Sequence, residues 1–455
     1  MKKTFQIATL TSVFLSSAAA IAAPAVSDIN GRWDAVLTRN GTEIPFRLDI
    51  KGSGDTVQGV FYDGFKPYDG TTSASFRDGK LTLNIDHYLT TINATLKDGQ
   101  LDGTAAAQNR ESSAGYSFHA VRHVDTAANA TPAPSIAGTY VIPLDTPSSK
   151  GEKAFRLIVQ QQGPEVAASI LRIDGDTGSY SGAYKDGKWV LSHFDGGRPG
   201  VITVTPAADG TLKVEQQSAR PAPQEASYSS ETKAAGSAYA NDATPDGRYA
   251  KALTAYRQDI AQAKGLPQPD DFLTHTVARD PNEVFKFNFR DVNGKLVSSD
   301  DPQFKHKVVL AIVTGTWCPN CHDEAQYLVK LDKQYRDKGL AIVALDFEEP
   351  EQQGTLLRER AFIKKYGVKY TYLQAGAPAE MWEKVPQLNH LDTWPATVFI
   401  GRDGKVRAVH SGFASPASGE FNTQLQQEFT GRIEQLLSEK VTASAAPPAK
   451  LAAAQ

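Results

Sequence analysis

The segment VVLAIVTGTWCPNC, residues 308–321, decides how the C-terminal part of this 455-residue chain is interpreted. Its first six residues are apolar and mostly β-branched, which predicts a buried strand. Cys318 and Cys321 follow, separated by two residues, and they are the only cysteines in the sequence. A chain that uses cysteine nowhere else uses this pair for chemistry at one site. We therefore interpret the pair as a redox dithiol at the point where a buried strand turns into a helix.

From about residue 280 the sequence alternates between strand-like and helix-like segments. After an introductory hairpin around Asn293-Gly294, the predicted strands are 308–313, 340–346, 370–373, 396–400 and 406–410. The predicted helices are 318–338, 356–366, 379–388 and 420–437. Strands that alternate with helices predict an α/β sheet with right-handed crossovers.

Residues 280–440 resemble the thioredoxin superfamily, in particular the TlpA-like exported thiol–disulfide oxidoreductases with a redoxin-type domain. The resemblance rests on TWCPNC at 316–321, on Glu324 one helical turn later, and on WPAT at 394–397 before an apolar strand. Together these motifs are far more specific than CxxC alone. The resemblance implies an α/β thioredoxin-like fold and a reductase of partner protein disulfides. It implies no metal and no cofactor beyond a redox-active disulfide between Cys318 and Cys321.

The expected role of each thiol follows from its place on the helix. A helix N-terminus stabilises an anion through its dipole and free amide groups, so Cys318 is predicted to be the exposed attacking thiolate. Cys321, one turn inward, is the predicted resolving thiol that breaks the mixed disulfide. Glu324 shares the helix face of Cys321, and partial burial would raise its pKa and let it exchange a proton with that thiol. The alternative is a solvated surface glutamate.

The resemblance also assigns the Trp-Pro pair to substrate binding. Pro395 resembles the family's cis-proline, whose cis bond would turn the backbone of Trp394 toward the dithiol, ready to pair with an extended partner segment. The alternative is an ordinary trans proline that opens a strand. Trp317 is expected to pack beside the disulfide and limit access to it. His322 is expected to be an exposed helix residue.

Three other functions fit part of this pattern. The sequence Cys318–His322 also reads C-x-x-C-H, the attachment motif for c-type haem, but a buried strand and a Trp-Pro strand are needed by a thioredoxin fold and not by haem. A peroxiredoxin-like thiol peroxidase carries a proline seven residues, and a threonine or serine three residues, before its reactive cysteine. Ala311 and Gly315 occupy those places, which disfavours a peroxidase. Metal delivery through the two cysteines and His322 is the third.

Two segments of the N-terminal half resemble each other in register. The landmarks of the first copy are Gly31-Arg32-Trp33, Phe46-Arg47-Leu48, Asp78-Gly79, Asp98-Gly99 and Phe118–Arg122. Those of the second copy are Gly138-Thr139-Tyr140, Phe155-Arg156-Leu157, Asp186-Gly187, Asp209-Gly210 and Leu253–Arg257. Short alternating runs joined by Asp-Gly pairs predict hairpins, so each copy is predicted to be an antiparallel, barrel-like β module. The second copy should end as a strand near Tyr256, with a helix from Gln258.

The N-terminus reads as an export signal. Lys2 and Lys3 precede an apolar stretch, residues 5–21, with an A-x-A cleavage pattern at 20–22. Several polar residues make the stretch weak as a spanning helix, so we expect a cleaved signal peptide and a soluble, periplasmic protein, with an uncleaved anchor as the alternative. The formal net charge of −3 shows no electrostatic sign of nucleic-acid binding. The expected partners are protein thiols or disulfides and an upstream thiol donor, which could be membrane-bound.

These patterns divide the chain into six predicted parts. They are a signal peptide (1–22), two β modules (27–125 and 135–258, the second with a polar insertion at about 217–247), a linker (259–279), a thioredoxin-like domain (280–440) and a disordered tail (441–455). The sequence does not identify what the β modules bind. Their aromatic residues are expected in cores rather than against a ligand. The modules could be spacers, could capture a partner at a barrel mouth, or could make the chain a docking protein with a secondary redox domain.

Overall fold

The computed structural model describes residues 28–109, 112–124, 132–217 and 252–439. The predicted signal peptide, the tail and nearly all of the polar insertion lie outside these residues. Within the described part, no helix is long and apolar enough to cross a membrane.

The first β module is one antiparallel sheet of nine strands in the described residues. Along the sheet they lie in the order β4-β3-β2-β1-β9-β8-β7-β6-β5, and β4 and β5 at the two ends are not paired with each other. The strands are β1 (Gly31–Arg39), β2 (Thr42–Lys51), β3 (Gln58–Asp63), β4 (Lys66–Gly70), β5 (Ser73–Arg77), β6 (Lys80–Ile85), β7 (Thr90–Lys97), β8 (Gln100–Asn109) and β9 (Ser112–Arg122).

The second β module closes into a barrel. β11 pairs with β12 as well as with β10, so the eight strands other than the short β13 form a ring. The strands are β10 (Gly138–Pro143), β11 (Ala154–Gln162), β12 (Glu165–Arg172), β13 (Gly175–Asp176), β14 (Tyr180–Lys185), β15 (Lys188–His193), β16 (Gly200–Pro206), β17 (Leu212–Gln217) and β18 (Leu253–Arg257). The prediction of two barrel-like modules is therefore confirmed in full only for the second, because the first sheet stays open.

Asp-Gly pairs make the tight turns that the sequence predicted. Asp78-Gly79 joins β5 to β6, Asp98-Gly99 joins β7 to β8, and Asp186-Gly187 joins β14 to β15, and all six residues have positive φ. Positive φ at both central residues is the requirement of the two-residue turn that matches the twist of a hairpin.

The two modules share one structural contact, which is consistent with the predicted repeat. Trp33 pairs with Arg122 across β1 and β9, and Tyr140 pairs with Arg257 across β10 and β18. Each guanidinium lies over the paired aromatic ring, 4.2 Å from the Trp33 centroid and 5.3 Å from the Tyr140 centroid. Each aromatic side chain also donates a hydrogen bond to the carbonyl four residues upstream.

The glycine of each repeat has a steric reason. Gly31 and Gly138 have φ of +128° and +140°, and an added Cβ would lie 2.8 Å and 2.9 Å from the guanidinium of Arg122 and Arg257. A side chain at either position would displace the arginine from its ring. The landmarks at the two ends of each repeat are therefore parts of one contact.

Several large aromatic residues of the modules lie in cores, as the sequence predicted, whereas Tyr88 also packs against the redox domain. Trp33 and Trp189 are fully buried, and the interior of the closed barrel is filled by large side chains, including Tyr140, Phe155 and Trp189. Phe194 of the second module packs into the core of the first, 4.8 Å from Phe46 between ring centroids. The two copies thus share apolar packing.

The C-terminal part is the predicted α/β sheet, with strands in the order β21-β20-β24-β23-β22-β26-β27. β22 is parallel to β23 and antiparallel to β26, and the two-stranded pair β19–β25 lies apart. The strands are β19 (Val277–Ala278), β20 (Asn288–Asp291), β21 (Leu296–Ser298), β22 (Val308–Thr314), β23 (Leu340–Phe347), β24 (Thr371–Gly376), β25 (Leu388–Asn389), β26 (Ala396–Ile400) and β27 (Val406–Ser411). The helices are α1 (Gln258–Ala263), α2 (Pro319–Tyr335), α3 (Pro350–Gln353), α4 (Leu357–Tyr366), α5 (Met381–Lys384) and α6 (Glu420–Ser438).

Most of the predicted elements of this part are confirmed, including the change from strand to helix at Gln258. The helix predicted at 379–388 is wrong in extent, because only a 3-10 turn, Pro378–Glu380, and the single turn α5 form. Pro386 explains the early end, since the residue before a proline is disfavoured in helical conformation. Leu388 instead enters β25, which pairs with β19 in the segment predicted as a linker.

Candidate active site

Cys318 caps the N-terminus of α2, directly after the fully buried strand β22 and a short turn. Its sulfur accepts a hydrogen bond from the amide of Cys321 at 3.4 Å, and its thiol lies 3.5 Å from the carbonyl oxygen of Trp394. Both cysteines are free thiols. Cys318 is only 4% exposed, so the prediction of an exposed thiol is wrong for this structure. Cys318 is buried by parts of the chain outside residues 308–321, among them the segment that contains Trp394, so its burial could not be predicted from the local sequence.

The Trp-Pro pair lies beside the dithiol in the predicted arrangement. The Trp394–Pro395 peptide bond is cis, and the carbonyl of Trp394 faces Cys318. The Trp317 ring packs edge-on against Trp394 with 5.1 Å between centroids, and its indole donates a hydrogen bond to the Phe347 carbonyl at 2.9 Å. An added Cβ at Gly315 would lie 2.4 Å from the Trp317 indole nitrogen, so only glycine lets the ring fold back in this way.

Glu324 is buried beneath the dithiol, so it is not the solvated surface glutamate that was the alternative prediction. Its carboxyl group accepts a hydrogen bond from the Thr397 hydroxyl, while its other oxygen has no hydrogen-bond partner in the described residues. Glu324, Cys321 and Tyr370 line one small cavity, about large enough for a single water molecule. Burial raises the pKa of Glu324 to about 8 and raises that of Cys321 well above the usual value for a thiol. A protonatable carboxyl and the inner thiol therefore share an enclosed space.

The turn that carries Trp317 is held by a buried polar group that the sequence analysis missed. The hydroxyl of Thr316 donates to Glu348, and Arg358 donates to Glu348 at 2.6 Å and also to Glu349. Glu348 is fully buried. The acidic sequence DFEEPE after the second buried strand, residues 346–351, was the available signal. Burying several carboxylates is unfavourable unless they are paired, so such a cluster next to a core strand indicates a specific partner.

His322 is buried, so its predicted exposure is wrong. One ring nitrogen, Nε2, lies 2.7 Å from the Thr316 carbonyl oxygen, and the other, Nδ1, lies 2.9 Å from the Tyr366 hydroxyl. Burial, reinforced by nearby His87, holds its pKa well below the usual value, so the ring is neutral. Nε2–H then donates to the carbonyl and Nδ1 accepts from the tyrosine. Neither nitrogen is left for a metal ion or haem iron, which removes His322 as a ligand in both alternatives.

The first β module packs on this side of α2 and shares the burial of His322 with Phe362 of α4, whose ring centroid lies 4.7 Å from that of His322. The His322 ring lies against Tyr88, with 4.7 Å between centroids, in the 3-10 turn Asp86–Tyr88 between β6 and β7. The end strand β4 of the open sheet also contacts this region, where Lys365 of α4 donates to the Gly70 carbonyl at 2.8 Å. The edge that would have closed the first module therefore meets the redox domain instead.

One polar face of α2 contacts both β modules. Asn320, between the two cysteines, donates to the Asp174 carbonyl of the second module at 2.8 Å. One turn later, Asp323 pairs with Arg198 of the same module at 3.2 Å and accepts from the Tyr68 hydroxyl of the first. Burial raises the pKa of Asp323 to about 7, although Arg198 favours its ionised form. Sequence patterns show the spacing of these residues on α2, but not what lies opposite them.

Residues 279–425 match the family model described as Redoxin. The C-terminal part of the chain is a redoxin domain. The matched range contains both cysteines, Glu324 and the Trp-Pro pair, and the resemblance to the thioredoxin superfamily is confirmed for this part of the chain. The two β modules lie outside the match.

The curated relatives include thiol–disulfide oxidoreductases by name. The protein ResA of Bacillus thuringiensis is 30% identical over 126 residues, which cover 27% of this chain and 65% of that protein. ResA of Halalkalibacterium halodurans is 26% identical over 146 residues, which cover 31% and 73% respectively. The chain thus spans slightly less than two thirds of the length of the first relative. A solved structure of a putative thiol:disulfide interchange protein DsbE from Chlorobium tepidum is 18% identical, covers 34% of this chain and 99% of that one, and has a TM-score of 0.27.

Proposed function

We propose that this protein is an exported thiol–disulfide oxidoreductase that reduces disulfides in partner proteins, with Cys318 as the attacking thiol. The position of the Cys318 sulfur carries the proposal. It lies at a helix N-terminus, where the Cys321 amide points at it and the helix dipole stabilises a thiolate. The neighbouring Trp394 backbone, next to Pro395, offers a place for an extended partner segment to pair.

The reaction is a thiol–disulfide exchange in two steps. The Cys318 thiolate attacks one sulfur of the partner disulfide, that disulfide breaks, and the released partner thiolate takes up a proton. Cys321 then loses its proton and attacks the Cys318 sulfur, which releases the second partner thiol. The partner gains two electrons from the two enzyme sulfurs and two protons, one released by Cys321 and one taken from solvent, and the enzyme is left with a Cys318–Cys321 disulfide. No cofactor or metal takes part.

Glu324 is the proposed proton acceptor for Cys321. A buried thiol with a raised pKa needs a base before it can attack, and Glu324 lies on the same cavity. A carboxyl group with a pKa of about 8 exchanges protons readily near neutral pH. Trp317 and Trp394 limit the approach to the sulfur, and Pro395 shapes the segment that contacts the partner.

The proposal also includes the direction of electron transfer and the cellular location of the protein. The names of the curated relatives support the oxidoreductase class, and the resemblance to TlpA-like proteins supports a reductant in the periplasm. The signal-like N-terminus supports export by a cleaved leader. An upstream thiol donor, membrane-bound or soluble, then returns the enzyme to its reduced form by the reverse exchange.

Two cysteine variants test the mechanism. Cys318→Ser should abolish reduction of a short peptide closed by one disulfide by the full-length protein, because no outer thiolate remains. Cys321→Ser should instead accumulate a mixed disulfide with the substrate, detectable by mass spectrometry without reductant. Turnover that survives in Cys318→Ser, or a mixed disulfide that forms through Cys321, would reject the assignment. Peroxide consumption measured on the same proteins separates a reductase from a thiol peroxidase.

A further inference from the structure

A loop of the closed barrel lies directly against the dithiol turn. The segment Ile173–Asp176, here named the barrel loop, follows β12 and includes the short strand β13. The Asp174 carbonyl accepts a hydrogen bond from the side-chain amide of Asn320, the residue before Cys321, at 2.8 Å. The same carbonyl accepts from the Phe413 amide at 3.4 Å. The barrel loop thus touches both the turn between the cysteines and the segment that follows β27.

Two glycines allow the backbones to meet at this contact. Gly175 has φ of +121°, and an added Cβ would lie 2.4 Å from the Phe413 carbonyl oxygen and 2.8 Å from the Asn320 amide nitrogen. Gly412, on the opposite side, has φ of +67°, and its added Cβ would lie 2.3 Å from the Ile173 carbonyl oxygen. Main chain therefore meets main chain between the barrel loop and residues 412–413, and a side chain at either glycine would have no room.

The barrel loop is fixed to both domains by buried polar groups. The Asp176 carboxylate, 4% exposed, accepts hydrogen bonds from the Ser415 amide at 2.7 Å, the Ser415 hydroxyl at 2.9 Å and the Ser418 hydroxyl at 2.6 Å. Asp174 is held on the barrel side by Lys150 at 2.6 Å. A buried carboxylate that receives several hydrogen bonds holds its partners firmly, because losing one leaves a desolvated charge. These interactions hold the barrel loop next to the dithiol turn.

We infer that the barrel loop is a wall of the active site that selects partners by shape. The inference rests on the proposed function and names its substrate class, which is a disulfide carried by an extended or flexible segment. Attack needs a sulfur of the partner in line with the sulfur of Cys318, a residue that is only 4% exposed. The two tryptophans lie beside the dithiol within the redox domain, and the barrel loop contacts the turn between the cysteines from the side of the barrel. A thin, extended segment of a partner can enter between the tryptophans and the barrel loop. A disulfide on the rigid surface of a folded partner cannot reach the Cys318 sulfur.

Alkylation rates measure this wall without any catalysis. Full-length protein carrying Cys321→Ser has one thiol, Cys318. Its alkylation rate is measured with N-ethylmaleimide and with the rigid, bulky N-pyrenylmaleimide. Each rate is divided by the rate at which the same reagent alkylates glutathione. The wall predicts that the pyrenyl reagent is disfavoured about tenfold or more relative to the ethyl reagent, since small misplacements at a reacting atom have effects of this size. Equal normalised rates for the two reagents would overturn the inference.

Variants then show whether the barrel loop is responsible. Asp176→Ala removes three hydrogen bonds to the redox domain and should raise the relative rate of the pyrenyl reagent several-fold. Asp209→Ala is the matched control, because the side-chain hydrogen bonds described for Asp209 come from Thr211 within its own barrel turn. Gly175→Ala, which pushes the loop away from Asn320, is the second variant in case Asp176→Ala does not fold, as judged by its thermal transition. A ratio that is unchanged in a folded loop variant, or that rises equally in the control, would overturn the inference.

The two proposals fail separately. A protein that alkylates with the predicted discrimination but reduces no disulfide would refute the proposed function and leave the wall in place. For an active protein, the wall also predicts faster reduction of a short peptide closed by one disulfide than of a compact folded protein with an exposed disulfide. That preference should shrink in Asp176→Ala and persist in Asp209→Ala.

Discussion

The carboxylate of Asp323, two residues after Cys321, lies 3.2 Å from the guanidinium of Arg198 in the closed barrel. Arg198 also pairs with Asp195 at 2.6 Å, and the side chains of both aspartates are almost fully buried. Arg198 and His193 outweigh the effect of burial and lower the pKa of Asp195. The helix that carries the dithiol is therefore joined to the barrel through a buried ion-pair network. This network makes the barrel part of the structural surroundings of the active site.

Removal of the shared cation should be strongly destabilising. Arg198→Met leaves Asp195 and Asp323 buried without their main partner, and we expect the free energy of unfolding at pH 7 to fall by about 3–5 kcal/mol. The matched control is Arg77→Met, because Arg77 pairs with Asp55 on the exposed surface and such pairs contribute about 0–1 kcal/mol. Urea unfolding of the full-length proteins measures both. Similar losses in the two variants would show that the buried network does not stabilise the fold.

The stability of the reduced protein should depend on pH through Glu324. Its folded pKa of about 8 lies above its ordinary value of 4.5. Between these values the unfolded chain releases a proton that the folded protein keeps, so the contribution of this group to stability falls as pH rises through this window. The total effect is at most about 5 kcal/mol. The free energy of unfolding should therefore fall less between pH 5 and pH 8 in Glu324→Gln than in the wild type.

The control for this pH effect is Glu283→Gln. Glu283 pairs with Arg279 at 3.0 Å on the exposed surface, and its substitution should leave the pH dependence of the wild type in place. An equal pH dependence in wild type and Glu324→Gln would contradict the raised pKa of Glu324.

Glu324→Gln should also slow the second exchange step. The glutamine cannot accept the proton of Cys321, so release of the reduced partner should slow by about 10²-fold, as is typical for loss of a general base. Rapid mixing of reduced enzyme with substrate, followed by acid quenching, measures the lifetime of the mixed disulfide. The first step, attack by Cys318, should keep its rate. A defect confined to the first step would contradict the assignment of Glu324 to Cys321.

Tryptophan fluorescence should report the redox state of the dithiol. The carbonyl of Trp394 lies 3.5 Å from the Cys318 sulfur and its ring contacts Trp317, so formation of a disulfide changes the surroundings of both rings. Oxidation should change the emission of the full-length protein, and Trp394→Phe should remove most of the change. Trp382→Phe is the control, because Trp382 packs on the same core without a described contact to the cysteines. A change that survives in Trp394→Phe and disappears in Trp382→Phe would reject the proposed reporter.

Local sequence was sufficient for elements whose packing is determined by their own pattern. The apolar run of β22 predicted a buried strand, and the Asp-Gly pairs predicted turns that need positive φ at two residues. The helix predicted at 379–388 extends too far, because Pro386 disfavours helical conformation at Val385 and the helix ends at Lys384. The repeat was also visible, since Gly31, Trp33 and Arg122 have counterparts at matching places. Their mutual contact explains why they recur together.

The sequence by itself determined the redoxin domain, the place of both cysteines at a helix start, the Trp-Pro pair beside them, and the duplication of the β modules. Only the tertiary structure decided that His322, Asp323 and Cys318 are buried, that the first module stays open, and that a barrel loop meets the dithiol turn. The physical reason is the range of the interactions. Helix starts and turns are specified by neighbours a few residues apart. The β-module partners of α2 come from chain segments more than a hundred residues away, and no local pattern identifies them.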